Sequence, residues 1–394
     1  MADVNQAKFA EKYIRALRRA GLDEAIRFVE AEFMLETAGG RKLYLANVFD
    51  ECQKASFWKR GRVLARYAAS MMDLSKGVPE TFEQAKPNLV PRVRQRTWFG
   101  VMELRFAGEK VMPFSYEPIT DDLAVELVYD TPNAIASVNP DHLARWGLSF
   151  ADALRTARHN LRLSTKGTLE SVRPGVFQSP WRDNHDSSRI LLTELISRLE
   201  VRGAPVAMIP MRDILLVTGA DDVEGLGTVA DIAEPALQQP RTVSGVAYVF
   251  VDGTWRRFEP PPGHPQRERF RLMARMTAAE DYEAQKQLLD KTHERDGTDI
   301  FVGSFLLLRN RTTGAATSLS TWAYNAVSLL PRTDEIAIAD GPGDAPDVQV
   351  PWERAAEVVG DLLRPQGLVP ERYLVERSPT PQQFDRLRAV TKTA

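Results

Sequence analysis

The densest apolar patterning lies between Asp183 and Ile232, and the rest of the chain reads as variations on it. SRILLTELISRLEV sets Leu191, Leu192, Leu195, Ile196 and Leu199 at the three- and four-residue spacing of one helix face, with Asp186 and Ser187 placed to cap it. PVAMIP and DILLVTG read as strands separated by Met211 and Arg212, with Pro210 and Asp213 bending the chain. EGLGTVADIAEPAL predicts the next helix, which Pro235 should shorten or kink.

Upstream, Phe9, Tyr13, Ile14 and Leu17 line one side of a helix from about Gln6 to Ala20, ringed by Lys8, Lys12, Arg15, Arg18 and Arg19 and ended by Gly21. That basic face is either solvated surface or an anchor for acidic partners. IRFVEAEFMLET and KLYLANVF flank AGGR and predict a hairpin, after which Asp50 opens a helix carrying Phe57, Val63, Leu64, Tyr67 and Met71. The Pro- and Gly-containing segment from Gly77 to Pro91 suggests a boundary. RTWFGVMELRF and the pair ELVYD and AIASV around TPN read as strands. A short helix capped by Asn139 or Asp141 should follow, then a second with Phe150, Leu154, Ala157 and Leu161 on one face.

Downstream, GVAYVFVDGTWRRFEP predicts a hairpin turning at Asp252-Gly253, and Pro260 to Gly263 a rigid linker. A long charged helix should run from about Gln266 to Arg295. TDIFVGSFLLLRNRTTGAATSLSTWAY reads as two strands around Thr-Thr-Gly, EIAIAD as a strand, GPGDAPD as a loop and VPWERAAEVVGDLLR as a helix. IPMRDILLVTGADD is echoed by LPRTDEIAIADGPGD, either a duplicated unit or two similar strand–loop–helix corners.

The composition is that of an ordinary globular chain: 394 residues, 43% hydrophobic, 26% charged. A formal net charge of -2 gives no global field towards nucleic acid or an anionic membrane. Cys52 is the single cysteine, which excludes an internal disulfide and a thiolate zinc cage. No apolar stretch reaches the roughly 18–20 residues that span a bilayer, and the first residues lack a secretory h-region, so a cytoplasmic location is expected.

LVPRVR at Leu89 to Arg94, ELVYDTPNAIASVNPDHLARWGLSFADAL at Glu126 to Leu154, and SRILL followed by VAMIPMRDILLV together resemble the bacterial YtpQ-like family, a domain of unknown function, over roughly residues 87–240. The resemblance implies no activity and no catalytic residues. The chain after about Pro260 extends beyond it.

Chemistry narrows the functional classes mainly by what is missing. There is no HExxH, no GxxxxGK[ST], no GxGxxG after a strand and no GxSxG elbow, and the five histidines are scattered. Asp183, His185 and Asp186 form the one local cluster of candidate metal ligands, though the simpler reading has Asp186 cap the following helix while the other two sit in solvent. The acidic loops at Asp221-Asp222 and Asp344 to Asp347 read as solvated turns. Arg92, Arg94, Arg96 and Trp98 alternate in RVRQRTWF and would share one strand face, able to bind nucleic acid by gripping phosphate and stacking a base, or more simply to protect a sheet edge by charge.

The expectation is therefore an α+β protein of repeated strand-pair-plus-helix units, with mostly antiparallel sheets and helices packed on one face. Residues 1–80 would form a helix–hairpin–helix unit, 87–258 the YtpQ-like core, and 264–394 a C-terminal α+β unit that is a candidate partial repeat. Function is expected to be non-catalytic binding or adaptor work with protein partners, without a cofactor, nucleic acid or membrane. The alternative is a metal-dependent hydrolase at Asp183, His185 and Asp186. A deep polar cleft with converging carboxylates would weaken the adaptor reading.

Overall fold

The computed structural model describes residues 3–39, 42–107, 114–310, 315–341 and 348–391. The chain divides into two compact units, one formed by Met1–Val90, Pro113–Ser115 and Leu127–Asn160, the other by Pro91–Met112, Tyr116–Glu126 and Leu161–Ala394. The architecture is α+β with mostly antiparallel sheets.

In the first unit α1 (Asp3–Arg19) turns Phe9, Tyr13 and Leu17 into a core shared with Leu35, Leu43, Val48 and Cys52. The run IRFVEAEFMLET is not one strand. A 3-10 turn at Glu30–Glu32, with Phe33 at φ 45°, divides it into β1 (Ile26–Val29) and β2 (Met34–Thr37), and β3 (Lys42–Tyr44) pairs with β2. Gly40 and Arg41 of the expected Gly-Gly turn lie outside the described residues. The helix expected from Asp50 is two: α2 (Ala46–Lys54) and α3 (Phe57–Lys76), followed by the short α4 (Phe82–Ala85).

Next come β4 (Leu89–Gln95), α5 (Arg96–Arg105), β5 (Tyr116–Pro118), β6 (Leu123–Asp130), β7 (Ile135–Ser137), α6 (Pro140–Trp146) and α7 (Phe150–Ser164). The unit division falls within β4, β6 and α7. Asn139 caps α6 reciprocally: its side chain accepts from the His142 N–H, and His142 Nδ1 accepts from the Asn139 N–H, each at 3.0 Å. Gly147, at φ 65°, ends the helix.

RTWFGVMELRF is helical, not a strand. Its Thr, Trp, Phe and Val carry strand propensity, but Phe99, Gly100 and Val101 are buried on a helix that packs against α10 (Arg267–Asp296), and packing overrides propensity. A β-carbon on Gly100 would stand 2.1 Å from the Val369 carbonyl oxygen, so only glycine allows this approach.

The second unit centres on six antiparallel strands: β8 (Glu170–Arg173), β9 (Val176–Gln178), β10 (Pro205–Met208), β11 (Leu216–Gly219), β12 (Ala247–Val251) and β13 (Thr254–Phe258), in the order β13-β12-β10-β11-β9-β8. Alternation along β10 and β11 buries both faces. Val206, Met208 and Leu216 meet α9 (Val223–Ala236) and Phe270 and Met273 of α10. Ala207, Ile209 and Val217 meet Val93, Leu123, Ile190 and Ile196. The hairpin turns at Asp252 and Gly253, both at positive φ (51° and 75°), as its right-handed twist favours.

The continuous helix expected over SRILLTELISRLEV is instead a 3-10 turn at Ser187–Leu191 and a single turn, α8 (Thr193–Ile196), separated by Leu192 at ψ 69°. The Trp255 indole N–H takes the Ile190 carbonyl (3.1 Å), and the Ser187 N–H donates to Arg212 O (3.0 Å). The Ile190 carbonyl is one that a helix would pair internally.

The remaining strands are β14 (Phe301–Val302), β15 (Leu306–Arg309), β16 (Ala316–Trp322), β17 (Ser328–Pro331), β18 (Glu335–Ile338), β19 (Val348–Pro351), β20 (Arg364–Pro365) and β21 (Arg372–Val375). They form two sheets, β14-β17-β21-β20 and β15-β16-β18-β19, beside α11 (Trp352–Val359) and α12 (Pro381–Thr391). The expected strand TDIFVGSFLLL is thus divided between two sheets. The Thr-Thr-Gly turn and the Asp344 to Asp347 loop lie outside the described residues. The two echoing corners differ: α9 follows β11 directly, whereas β19 intervenes between β18 and α11.

Arg372 fixes α10 to these strands. Fully buried, it donates to Gln285 Oε1 (2.6 Å) and to the carbonyls of Gly303 (2.7 Å), Leu329 (3.1 Å) and Tyr282 (3.1 Å). Among the described residues no helix is long and apolar enough to cross a membrane.

Candidate anion-binding site

At the end of β4 the period of two points Arg92 and Arg94 to the same side, and both reach Glu126 of β6. Arg92 Nε donates to Glu126 Oε1 at 2.7 Å and Arg94 Nε to the same oxygen at 2.6 Å. Glu126 is fully buried and Arg92 nearly so. The Arg94 guanidinium lies 4.2 Å from the centre of the Trp98 ring, a cation–π contact made possible by the turn into α5.

Two more arginines arrive from distant sequence. The segments around Met211 and Thr242 form an isolated antiparallel bridge, and the Arg212 N–H donates to Arg241 O at 3.2 Å. Arg241 holds φ 72°, a left-handed conformation that side chains disfavour. Arg92, Arg94, Arg212 and Arg241, with Trp98 and Gln95, line a cavity of about 160 Å³.

The electrostatics are those of crowded like charges. Burial lowers the Arg94 pKa to about 10, the charge of Arg92 adds to the effect, and Glu126 only partly offsets it. Burial also lowers Arg212, with Arg241 and Arg92 adding to it against Asp213 and Glu126. Arg94, near 10, stays charged at neutral pH. Among the described residues the buried Arg212 Nε has no hydrogen-bond partner. Such a site gains from an anion that supplies acceptors to several guanidinium groups at once.

Of the four residues expected to share a strand face, the structure brings Arg92, Arg94 and Trp98 to this cavity. Arg96 starts α5, is not part of the lining, and its charge acts on the Tyr116 phenol instead. Sequence reasoning missed Arg212, treated as a spacer between strands, Arg241, and the counter-charge Glu126. Only the long-range pairing of residues 209–212 with 241–244 unites them.

Asp183, His185 and Asp186 sit in a tight loop with Arg182 and Asn184 at φ 50° and 68°. Asp183 holds the fully buried Arg189 through two bonds, Nη1 to Oδ1 at 2.8 Å and Nη2 to Oδ2 at 2.6 Å. Burial alone would raise the Asp183 carboxyl; the bonds and charge of Arg189 outweigh it and hold the pKa below the usual range. Arg189 also lies 4.2 Å over the Trp181 ring. Asp186 does not cap by its side chain. It accepts from the N–H groups of Arg182 and Asp183, each at 3.2 Å, and burial raises its pKa. Among the described residues no group of three or more His, Cys, Asp or Glu is arranged to hold a metal ion.

The chain matches no family model, no curated protein and no solved structure in the comparisons made.

Proposed function

We propose that this chain is a bacterial cytoplasmic binding protein that recognises a phosphate-class anionic group on a protein partner through Arg92, Arg94, Arg212 and Arg241. The supporting observation is the concentration of four guanidinium groups around one small cavity, two of them bonded to the buried carboxylate of Glu126. At about 160 Å³ the cavity is well below the roughly 300 Å³ at which pockets begin to enclose a drug-sized molecule, so it suits a headgroup whose bearer stays outside. Arginine clusters are a recurring means of reading phosphorylated segments. Arg94, stacked on Trp98, is already ordered before binding, which lowers the entropy cost. The YtpQ-like kinship over roughly residues 87–240 belongs to the same proposal and brings no activity with it. Asp183 and Asp186 are committed to Arg189 and to backbone N–H groups, so the hydrolase alternative gains no support from their geometry.

The test is calorimetric titration of the full chain with a phosphoserine peptide, its unphosphorylated twin and inorganic phosphate. Binding should require the phosphoryl group, weaken as salt rises, and fall at least tenfold in Arg94→Met and Arg212→Met. Equal affinity for both peptides, or indifference to both substitutions, overturns the proposal.

A further inference from the structure

Beyond Gln95 a second and larger cavity opens in the same unit. It measures about 420 Å³, inside the range of about 300–1,000 Å³ typical of small-molecule sites. Gln95 lines both cavities, and its Nε2 donates to Asp281 Oδ2 at 3.0 Å. The wall opposite is Arg275, only 8% exposed. Its Nε and Nη2 bind Asp334 at 2.7 and 2.9 Å, while Nη1 has no hydrogen-bond partner among the described residues. A buried guanidinium with an unused donor is costly unless a ligand or water meets it. Tyr282 and Phe305, stacked with ring centres 5.2 Å apart, supply an apolar wall.

We propose that this cleft is a second ligand site, for a small organic acid whose carboxylate takes the free Nη1 of Arg275 and whose further oxygen meets the Asp281 carboxyl. The carbon skeleton lies along Tyr282 and Phe305. Asp281 suits the role because burial pushes its pKa up to about 7, with Glu280 and Asp122 adding to the effect against the hydrogen bond from Gln95. Near neutral pH a large fraction of the carboxyl is protonated and can donate to a ligand oxygen. Around it, Asp122 faces Arg257 at 3.7 Å, Asp334 is held by Arg275, Arg332 is bonded to Glu353, the Tyr282 hydroxyl donates to Glu371 O, and the Tyr248 hydroxyl is engaged with Ser244. This site is independent of the arginine cavity and takes a different chemical class.

The experiment is calorimetry of the full chain with malate, succinate and acetate from pH 6 to 8, with spermidine as the cationic control. At least one acid should bind, more weakly as pH rises. Asp281→Asn, which preserves shape and donates at every pH, should flatten that pH dependence. Arg275→Lys should cost about tenfold in affinity for the acid, with circular dichroism confirming the fold, while Arg94→Met, which alters only the other cavity, should leave the acid's affinity as it is. The proposal is overturned by no binding of any of the acids, by spermidine binding in their place, by binding that Arg94→Met abolishes, or by a pH dependence that Asp281→Asn leaves unchanged.

Discussion

Glu126→Gln is the sharpest perturbation of the arginine site. The substitution keeps the side chain's shape but removes the one carboxylate bonded to both Arg92 and Arg94, at 2.7 and 2.6 Å in a fully buried position. Removing one partner of a buried ion pair costs about 3–5 kcal/mol, because the surviving charge stays desolvated. Arg94 is partly exposed and can turn towards water, whereas Arg92 cannot, so the cost belongs near the lower end, about 3 kcal/mol. For a unit of this size that is a fall of roughly 6–10 °C in melting temperature. The variant should also be rescued by anions. Phosphate restores the missing negative charge, so its stabilising effect, which follows RT ln(1 + [L]/Kd), should be larger in Glu126→Gln than in the parent. Urea unfolding with and without phosphate, at matched ionic strength, measures both effects. A loss below about 1 kcal/mol would place the pair in the range of exposed ion pairs. Equal phosphate stabilisation of both proteins would refute the view that phosphate replaces the Glu126 charge.

Other consequences are equally direct. Asp281 has a folded-state pKa of about 7 against an ordinary 3.8, so its contribution is fully present below about pH 4 and is lost as pH rises to 7, a swing on the order of 4 kcal/mol; in melting curves Asp281→Asn should gain most over the parent at pH 8 and little at pH 4. Asp334 shows the opposite sign: its pKa is held at about 2 by Arg275 and Ser318 against burial, so its stabilisation is present above about pH 4 and is lost as pH falls towards 2, which acid unfolding of Asp334→Asn should lack. Gly100→Ala should destabilise by about 1–3 kcal/mol in urea unfolding, since its methyl group meets the Val369 carbonyl. Asp183→Asn strips a bidentate partner from fully buried Arg189 and should cost about 3 kcal/mol in the same assay.

What could be read from the sequence was local. The Asp252-Gly253 hairpin, the Asn139 cap and the long α10 follow from turn chemistry, capping and length, each specified within a few residues. Where tertiary contacts decide, the pattern misleads. Arg96–Arg105 has strand-like residues yet forms a helix because Phe99 and Val101 pack inward. The leucine-rich run after Ser187 has helical spacing, but Ser187, Ser188, Arg189 and Ile190 are all buried, which no single-faced helix allows. The arginine site was half visible for the same reason. Arg92, Arg94 and Trp98 are neighbours in sequence, while Arg212 and Arg241 join them only where the pairing of β10 with β12 continues past the end of its ladder.

The position of Arg372 also shapes how the chain is made. During synthesis α10 emerges long before the strand that covers it: Arg372 lies 87 residues after its partner Gln285. Until then the nascent chain carries a helix of 30 residues whose first turns can dock on the finished six-stranded sheet through Phe270 and Met273. Its later turns hold Leu289 with no Leu374 to meet it. Segments in that state are the aggregation-exposed ones in large proteins. The many charges along the second half of α10 keep it soluble during the wait, and a ribosome that stalls before Arg372 leaves it uncovered.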